Sequence, residues 1–152
     1  MKKLVIMAGL PGSGKSYVRE KMFSDLAFID CDELKKSIEG YDPKNPGTVH
    51  AQSKVLEKQA IYNNLAEGIS FVYDTTASNA DKVINMTKEA QSLGYTVVVV
   101  YVRTTLATAL ERNSKRDRVV PESIILDKYS LIKTSMETVK MFVDEFIVVD
   151  ND

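Results

Sequence analysis

Eight residues near the start of the 152-residue chain, Gly9-Leu10-Pro11-Gly12-Ser13-Gly14-Lys15-Ser16, fit the pattern G-x-x-x-x-G-K-[ST]. A turn of this composition is built to hold phosphate. Glycine leaves no Cβ to block a tight turn or the close approach of an anion. Backbone N–H groups of the turn and the N-terminus of the helix behind it then converge on that anion. In this reading Gly12, Ser13 and Gly14 form the cradle. Lys15 reaches the β- and γ-phosphates of ATP, and the Ser16 hydroxyl holds Mg²⁺. Tyr17 comes next and lies close enough in sequence to border a nucleotide, although core packing is the more ordinary use of a tyrosine.

Carboxylates follow at intervals suited to phosphoryl transfer. Asp32 is a candidate general base, able to accept a proton from an attacking hydroxyl and aim its oxygen, with Asp30 as the rival. Either aspartate has the alternative use of capping a short helix. Asp30-Cys31-Asp32 also has the D-x-D spacing of aspartyl-phosphate phosphatases, but Leu34 stands where those enzymes need a small β-branched residue. Asp74, at the end of a later apolar run and followed by Thr75-Thr76, is placed to complete a Mg²⁺ shell with Ser16. Lys35 lies one helical turn beyond Asp32, where it can hold a phosphate on an acceptor or serve as a surface lysine. Arg112, Lys115, Arg116 and Arg118 crowd one connector, interrupted only by Asp117. Planar, permanent charge of this kind stabilises a transferring phosphoryl group when a lid carries it into place. His50, the sole histidine, has no cysteine or histidine partner at ligand spacing, and no metal is assigned to it.

These groups need a scaffold, and the apolar spacing supplies one. Strands are expected over 3–8, 26–30, 69–74, 95–102 and 146–149. Helices are expected from Lys15, over 31–38 with Gly40 as C-cap, and from an N-cap at Thr48 to Gly68. Others follow from Ser78 to Gly94 with a Ser78/Asp81 capping box, over 105–112, and from Pro121 to about Met141. The third helix carries the stripe Val49, Leu56, Ala60, Leu65, and the fourth carries Val83, Met86, Ala90, Leu93. Residues 41–47 read as turn, and 113–120 as the basic connector. Strands alternating with helices predict an α/β three-layer sandwich around a five-stranded parallel sheet. Ligands then bind beyond the carboxyl ends of the strands, where the glycine turn, Asp30/Asp32 and Asp74 all fall.

At 44% hydrophobic the chain can bury a core as a single domain over 1–152, and a net charge of −1 argues against a protein that coats long nucleic acid. A single cysteine, Cys31, provides no disulfide framework and fits a reducing compartment. The longest strongly apolar run, Val97 to Val102, is too short to span a bilayer, so a cytoplasmic protein with no membrane partner is expected.

On Pro11 to Ser16, Asp32 through Ser37-Ile38, Asp74-Thr75, and Arg112-Asn113-Ser114-Lys115-Arg116 with Val120-Pro121 behind, the chain resembles a known family. This is the 5′-kinase domain of the bacteriophage polynucleotide kinase–phosphatase; the chain resembles the zeta-toxin-like P-loop kinases more loosely. The resemblance covers nearly the whole chain and does not extend to a phosphatase portion. It implies a P-loop kinase-type sandwich with an arginine-bearing lid over about 113–120. It also implies activation of an acceptor 5′-hydroxyl by Asp32, with donor phosphates and Mg²⁺ on Lys15 and Ser16, and Asp74 in support. Arg112 and Arg116 would clamp the donor. The family's acceptor-phosphate arginine is Lys35 here, which exchanges a bidentate fork for a point charge. The partners implied are a nucleotide and a 5′-OH oligonucleotide or 3′-phosphorylated nucleoside. A small-molecule kinase acting on a nucleoside or sugar nucleotide, and a nucleotide-binding switch without transfer, are the alternatives.

Overall fold

The computed structural model describes residues 1–42, 44, 49–116 and 119–152. Strands Lys3–Ala8 (β1), Ala27–Asp30 (β2), Phe71–Thr75 (β3), Thr96–Arg103 (β4) and Glu145–Asp150 (β5) form one sheet in the order β2-β3-β1-β4-β5. Every neighbouring pair is parallel, with Ile6 of β1 opposite Tyr73 of β3 and Val99 of β4. The helices are Lys15–Phe23 (α1), Cys31–Lys36 (α2), His50–Glu67 (α3), Ala80–Ser92 (α4), Leu106–Ser114 (α5) and Glu122–Val139 (α6).

The twofold alternation of strand side chains divides the core. Leu4, Ile6, Phe71, Tyr73, Val97 and Val99 turn to one face, where Ile61 and Leu65 of α3, Val83 and Ala90 of α4, Ala109 of α5 and Ile125, Ile132 and Met136 of α6 cover them. Val5, Met7, Val72, Val98, Val100 and Val102 turn to the other face, against Val18 of α1. Burial on both faces is why β4 reads as an unbroken apolar run.

The sheet order brings function to its middle. From β1 the chain leaves through α1 to β2, skipping the place that β3 later fills; from β3 it crosses β1 to reach β4. The direction of winding reverses at β1, so a crevice opens above its carboxyl end.

Several helix ends differ from the sequence reading. α2 closes at Lys36 with Ser37 as its C-cap, and Gly40 lies beyond it in left-handed backbone. The cap of α4 is Asn79, whose Oδ1 accepts the Lys82 N–H at 3.2 Å. Ser78 instead receives the Lys128 ammonium at 2.9 Å, so no Ser78/Asp81 box forms. Leu93 is exposed, so the α4 stripe stops at Ala90. On α3 the covered positions are Ser53, Glu57, Ile61 and Leu65, a face rotated from the expected one because its first half borders a polar cleft. Asn113 and Ser114 belong to α5. The Thr48 cap, most of the turn before it, and Asp117 and Arg118 of the connector lie outside the described residues.

Candidate functional site

The glycine turn is shaped by its neighbours as much as by its own sequence. Gly12 has φ 87°, and a Cβ there would lie 2.7 Å from the Ala109 carbonyl oxygen. Gly14, with φ 89°, is the N-cap of α1, and a Cβ there would strike the Asn151 amide. The first turn of α1 carries no acidic residue and no side-chain cap, which leaves its N-terminal end electropositive and available to an anion. The Ser13 carbonyl accepts from Asn151 Nδ2 at 2.9 Å and, more loosely, from Arg112 at 3.4 Å. Arg112 also donates to the Asn151 carbonyl at 2.6 Å, so α5 and the residue after β5 fasten the turn together.

A cleft of about 540 Å³ opens above the carboxyl ends of β1, β2 and β3. Gly12, Gly14, Lys15 and Ser16 line one end. Asp30, Asp32, Asp74 and Thr75 line its floor, and Arg112 and Arg116 approach from α5 and its C-terminal turn. Lys35, His50, Lys54 and Glu57 line the far end. The Ser13 side chain is buried beneath the turn, and Tyr17 stands apart from the cleft, exposed beside Lys21 and not in the core. Lys115 points away and pairs with Glu111 at 3.1 Å.

The two aspartates of β2 and α2 have different tasks. Asp30 caps α2, its Oδ1 accepting the Asp32 N–H at 2.9 Å. Burial first, then the neighbouring carboxylates of Asp74 and Asp32, push the Asp30 carboxyl up to about 6. That capping bond sets the start of the helix on which half-buried Asp32 stands at the cleft wall.

Asp74 is buried and doubly paired. Lys15 Nζ lies 3.4 Å from Oδ1, and Arg19 reaches Oδ2 at 3.2 Å. Lys15 also donates to the Thr75 carbonyl at 3.2 Å. Arg19, only 7% exposed, lays its guanidinium 3.8 Å from the centre of the Phe28 ring. Sequence reasoning passed over Arg19 because an arginine three residues past the P-loop serine carries no motif. The spacing onto the buried face of α1, next to Val18, was the only available signal.

At the far end Lys35 is 94% buried, with 6% of its surface exposed, and makes no hydrogen bond or ion pair to a described residue. His50 is held below its usual range by burial and by the charges of Lys35 and Lys54. Glu57, also missed from sequence, is 3% exposed and pairs with Lys54 at 3.2 Å. Lys82 stands farther from it, at 3.9 Å, and donates to the Tyr73 hydroxyl at 3.4 Å.

The connector after α5 is tied at its base. Buried Asn113 donates to the Val120 carbonyl at 2.7 Å and accepts the Val120 N–H at 3.0 Å. Whatever the intervening residues do, both ends of the connector are held together at the cleft mouth.

Solved structures share this arrangement. A chain of the AvrRxo1-ORF1:-ORF2 complex with ATP superposes with a TM-score of 0.78 at 16% identity, covering 93% of this chain and 51% of that one. A chain of the Pnkp1/Rnl/Hen1 RNA repair complex gives 0.73 at 17% identity, covering 90% and 45%. Shikimate kinase from Acinetobacter baumannii in complex with shikimate gives 0.58 at 17% identity, covering 97% and 83%. The chain spans about half the length of the first two, and at these identities the likeness is one of fold. That fold, with the glycine turn at the switch point of a five-stranded parallel sheet, is the P-loop kinase fold. The chain belongs to the zeta toxin family, whose sequence model matches residues 1–152. No curated protein matches the sequence. The zeta-toxin-like resemblance read from the residues is thus the one that the family match bears out.

Proposed function

We propose that the protein transfers the γ-phosphoryl group of ATP to a hydroxyl group. The observation that carries this reading is the meeting of Lys15, Asp32, Asp74 and Arg116 in one cleft at the end of an open helix N-terminus. A switch that only binds nucleotide has no use for a carboxylate on the acceptor side. In the transfer, the acceptor oxygen forms a bond to the γ-phosphorus while the bond from that phosphorus to the β–γ bridging oxygen breaks. Asp32 takes the hydroxyl proton, and ADP departs with the bridging oxygen. Lys15 and Arg116 face the charge that spreads over the transferring group.

The residues fit a Mg²⁺ ion that arrives with the nucleotide. The Ser16 hydroxyl is exposed in the cleft without a partner among the described residues and would hold the ion, with the Asp74 carboxylate, whose oxygens hold Lys15 and Arg19, in support. Among the described residues no group of three acidic, histidine or cysteine side chains would bind a metal unaided, so phosphate oxygens would complete the shell. When bound, the ion neutralises the β- and γ-phosphates.

For the acceptor, Lys35 is the guide. Among the described residues Lys35 has no ion-pair partner, and a buried ammonium is favoured when an anion joins it. An acceptor bearing a phosphate beside its reactive hydroxyl answers that need, as a 5′-OH oligonucleotide or a 3′-phosphorylated nucleoside does. Glu57 favours a second reading, a small phosphorylated molecule. A buried carboxylate in the same end repels a polyanionic strand and accepts hydrogen bonds from hydroxyl donors.

Labelled ATP offered with oligonucleotides, 3′-phosphorylated nucleosides and phosphorylated metabolites separates these readings. Lys15→Ala should abolish transfer to all of them. Lys35→Ala should raise KM for the phosphorylated acceptor and leave KM for ATP nearly unchanged. Transfer to metabolites in preference to oligonucleotides would overturn the polynucleotide reading, and the absence of any ATP-dependent labelling would overturn both.

A further inference from the structure

We propose that Arg19 is a positioning residue, the standing counter-ion of Asp74 that frees Lys15 to exchange between Asp74 and nucleotide phosphate. The proposal rests on the kinase reading above for its nucleotide. Asp74 has two oxygens and, among the described residues, two cations, one on each: Lys15 on Oδ1 and Arg19 on Oδ2. The two cations differ in freedom. Lys15 ends a flexible stem at the cleft and holds one other partner, the Thr75 carbonyl. Arg19 is closed in between the Asp74 carboxylate and the Phe28 ring and does not line the cleft.

A P-loop lysine that must reach phosphate has to let go of whatever holds it beforehand. Asp74 is buried beside the Asp30 carboxyl, opposite it in the β2–β3 register. With Lys15 as its only cation, departure of Lys15 would strand a buried carboxylate, and that is strongly disfavoured. Arg19 removes the difficulty. Its guanidinium stays on Oδ2 whether Lys15 is on Oδ1 or on phosphate, so Asp74 keeps both its charge and its place. A fork stacked on an aromatic ring suits a fixed role, and a lysine on a flexible stem suits the exchanging one.

The test is nucleotide binding in the absence of metal, which needs neither turnover nor an acceptor. A fluorescent ADP analogue is titrated in EDTA into the wild type and into Arg19→Met, Arg19→Lys, Asp74→Asn and the Arg19→Met/Asp74→Asn double variant, each first checked by thermal melting. Arg19→Met, whose side chain still packs on Phe28, should weaken binding by about tenfold, the size of coupling seen between contacting charges. Arg19→Lys should recover part of the loss. Asp74→Asn should bind at least as tightly as the wild type. The double variant should return to the level of Asp74→Asn, because Lys15 is then no longer gripped. A merely structural role for Arg19 would leave the double variant as weak as Arg19→Met. Equal binding by wild type and Arg19→Met, or a double variant no better than Arg19→Met, overturns the proposal. If Arg19→Met does not fold, Arg19→Lys against Arg19→Lys/Asp74→Asn decides by the same comparison. Failure of the wild type to bind the nucleotide at all would instead sink the kinase reading.

Discussion

Asp30 and Asp32 are two positions apart and chemically alike, yet their surroundings separate them. Asp30 spends an oxygen on the Asp32 N–H, and an asparagine can make the same cap. Asp32→Asn should therefore cut transfer by about 10²–10⁴-fold with ATP binding retained, the loss expected for a general base. Asp30→Asn should keep most of the activity, and a reversed order in steady-state rates would exchange the two roles. Asp30 also gives a pH signature. Its carboxyl titrates at about 6 in the folded protein, against 3.8 when free. Between those values the folded state binds the extra proton, so this group's contribution to stability is present at low pH. It is lost as pH rises from about 4 to 6, a change on the order of 1–3 kcal/mol. Urea midpoints in metal-free buffer should show wild type losing stability relative to Asp30→Asn across that window. Parallel curves would mean that Asp30 is not perturbed.

Among elements, α5 and the connector behind it carry the arginines, and the structure assigns them unlike surroundings. Arg112 donates to the Asn151 and Ser13 carbonyls, and Arg116 lines the cleft mouth within a connector tied at Asn113 and Val120. Arg116→Ala should thus lower kcat by about 10²-fold or more while changing ATP affinity little, as for a charge that acts mainly on the transition state. An equal, modest change in both would make the connector a docking surface. Which elements exist was legible from apolar periodicity and glycine punctuation, because strands covered on both faces and helices ended by glycine, such as α3 at Gly68, write those features locally. Ser78 and Asn79 show where local reading stops. Both are capping residues, and a lysine fifty positions away on α6 claims Ser78. Arg19 was illegible because its partners, Asp74 and Phe28, come from other elements, and Glu57 because an i,i+3 pair with Lys54 reads as a surface pair until the cleft and Lys82 of α4 close over it. The P-loop, Asp32 and Asp74 were legible because a strand followed by a turn already states which end of the sheet they occupy.

For the whole molecule, the sheet order decides what the cleft can contain. β1 is flanked by β3 and β4, and the crevice above it gathers residues from both halves of the chain, from Leu10 to Lys128. No helix among the described residues is long and apolar enough to cross a membrane. The site is therefore a property of the assembled sheet rather than of any segment, and its charge is divided: cations at the phosphate end, carboxylates on the floor, and both signs at the acceptor end.

The bond from Asn151 to the Ser13 carbonyl joins residues 138 positions apart. A ribosome delivers the phosphate loop well before the residue that fastens it, and contacts of such separation form late. The growing chain consequently carries an unfastened loop until Asn151 has been added and β5 has docked. Nucleotide affinity should then arise in one step, when β5 docks on β4 and brings Asn151 into place. Asn151→Ala should reproduce the unfastened loop in the finished protein, weakening ATP about fivefold, the value of one ordinary hydrogen bond, with little change in melting temperature. Isothermal titration of that variant measures the effect, and unchanged affinity would show that the loop sets without its distant fastening.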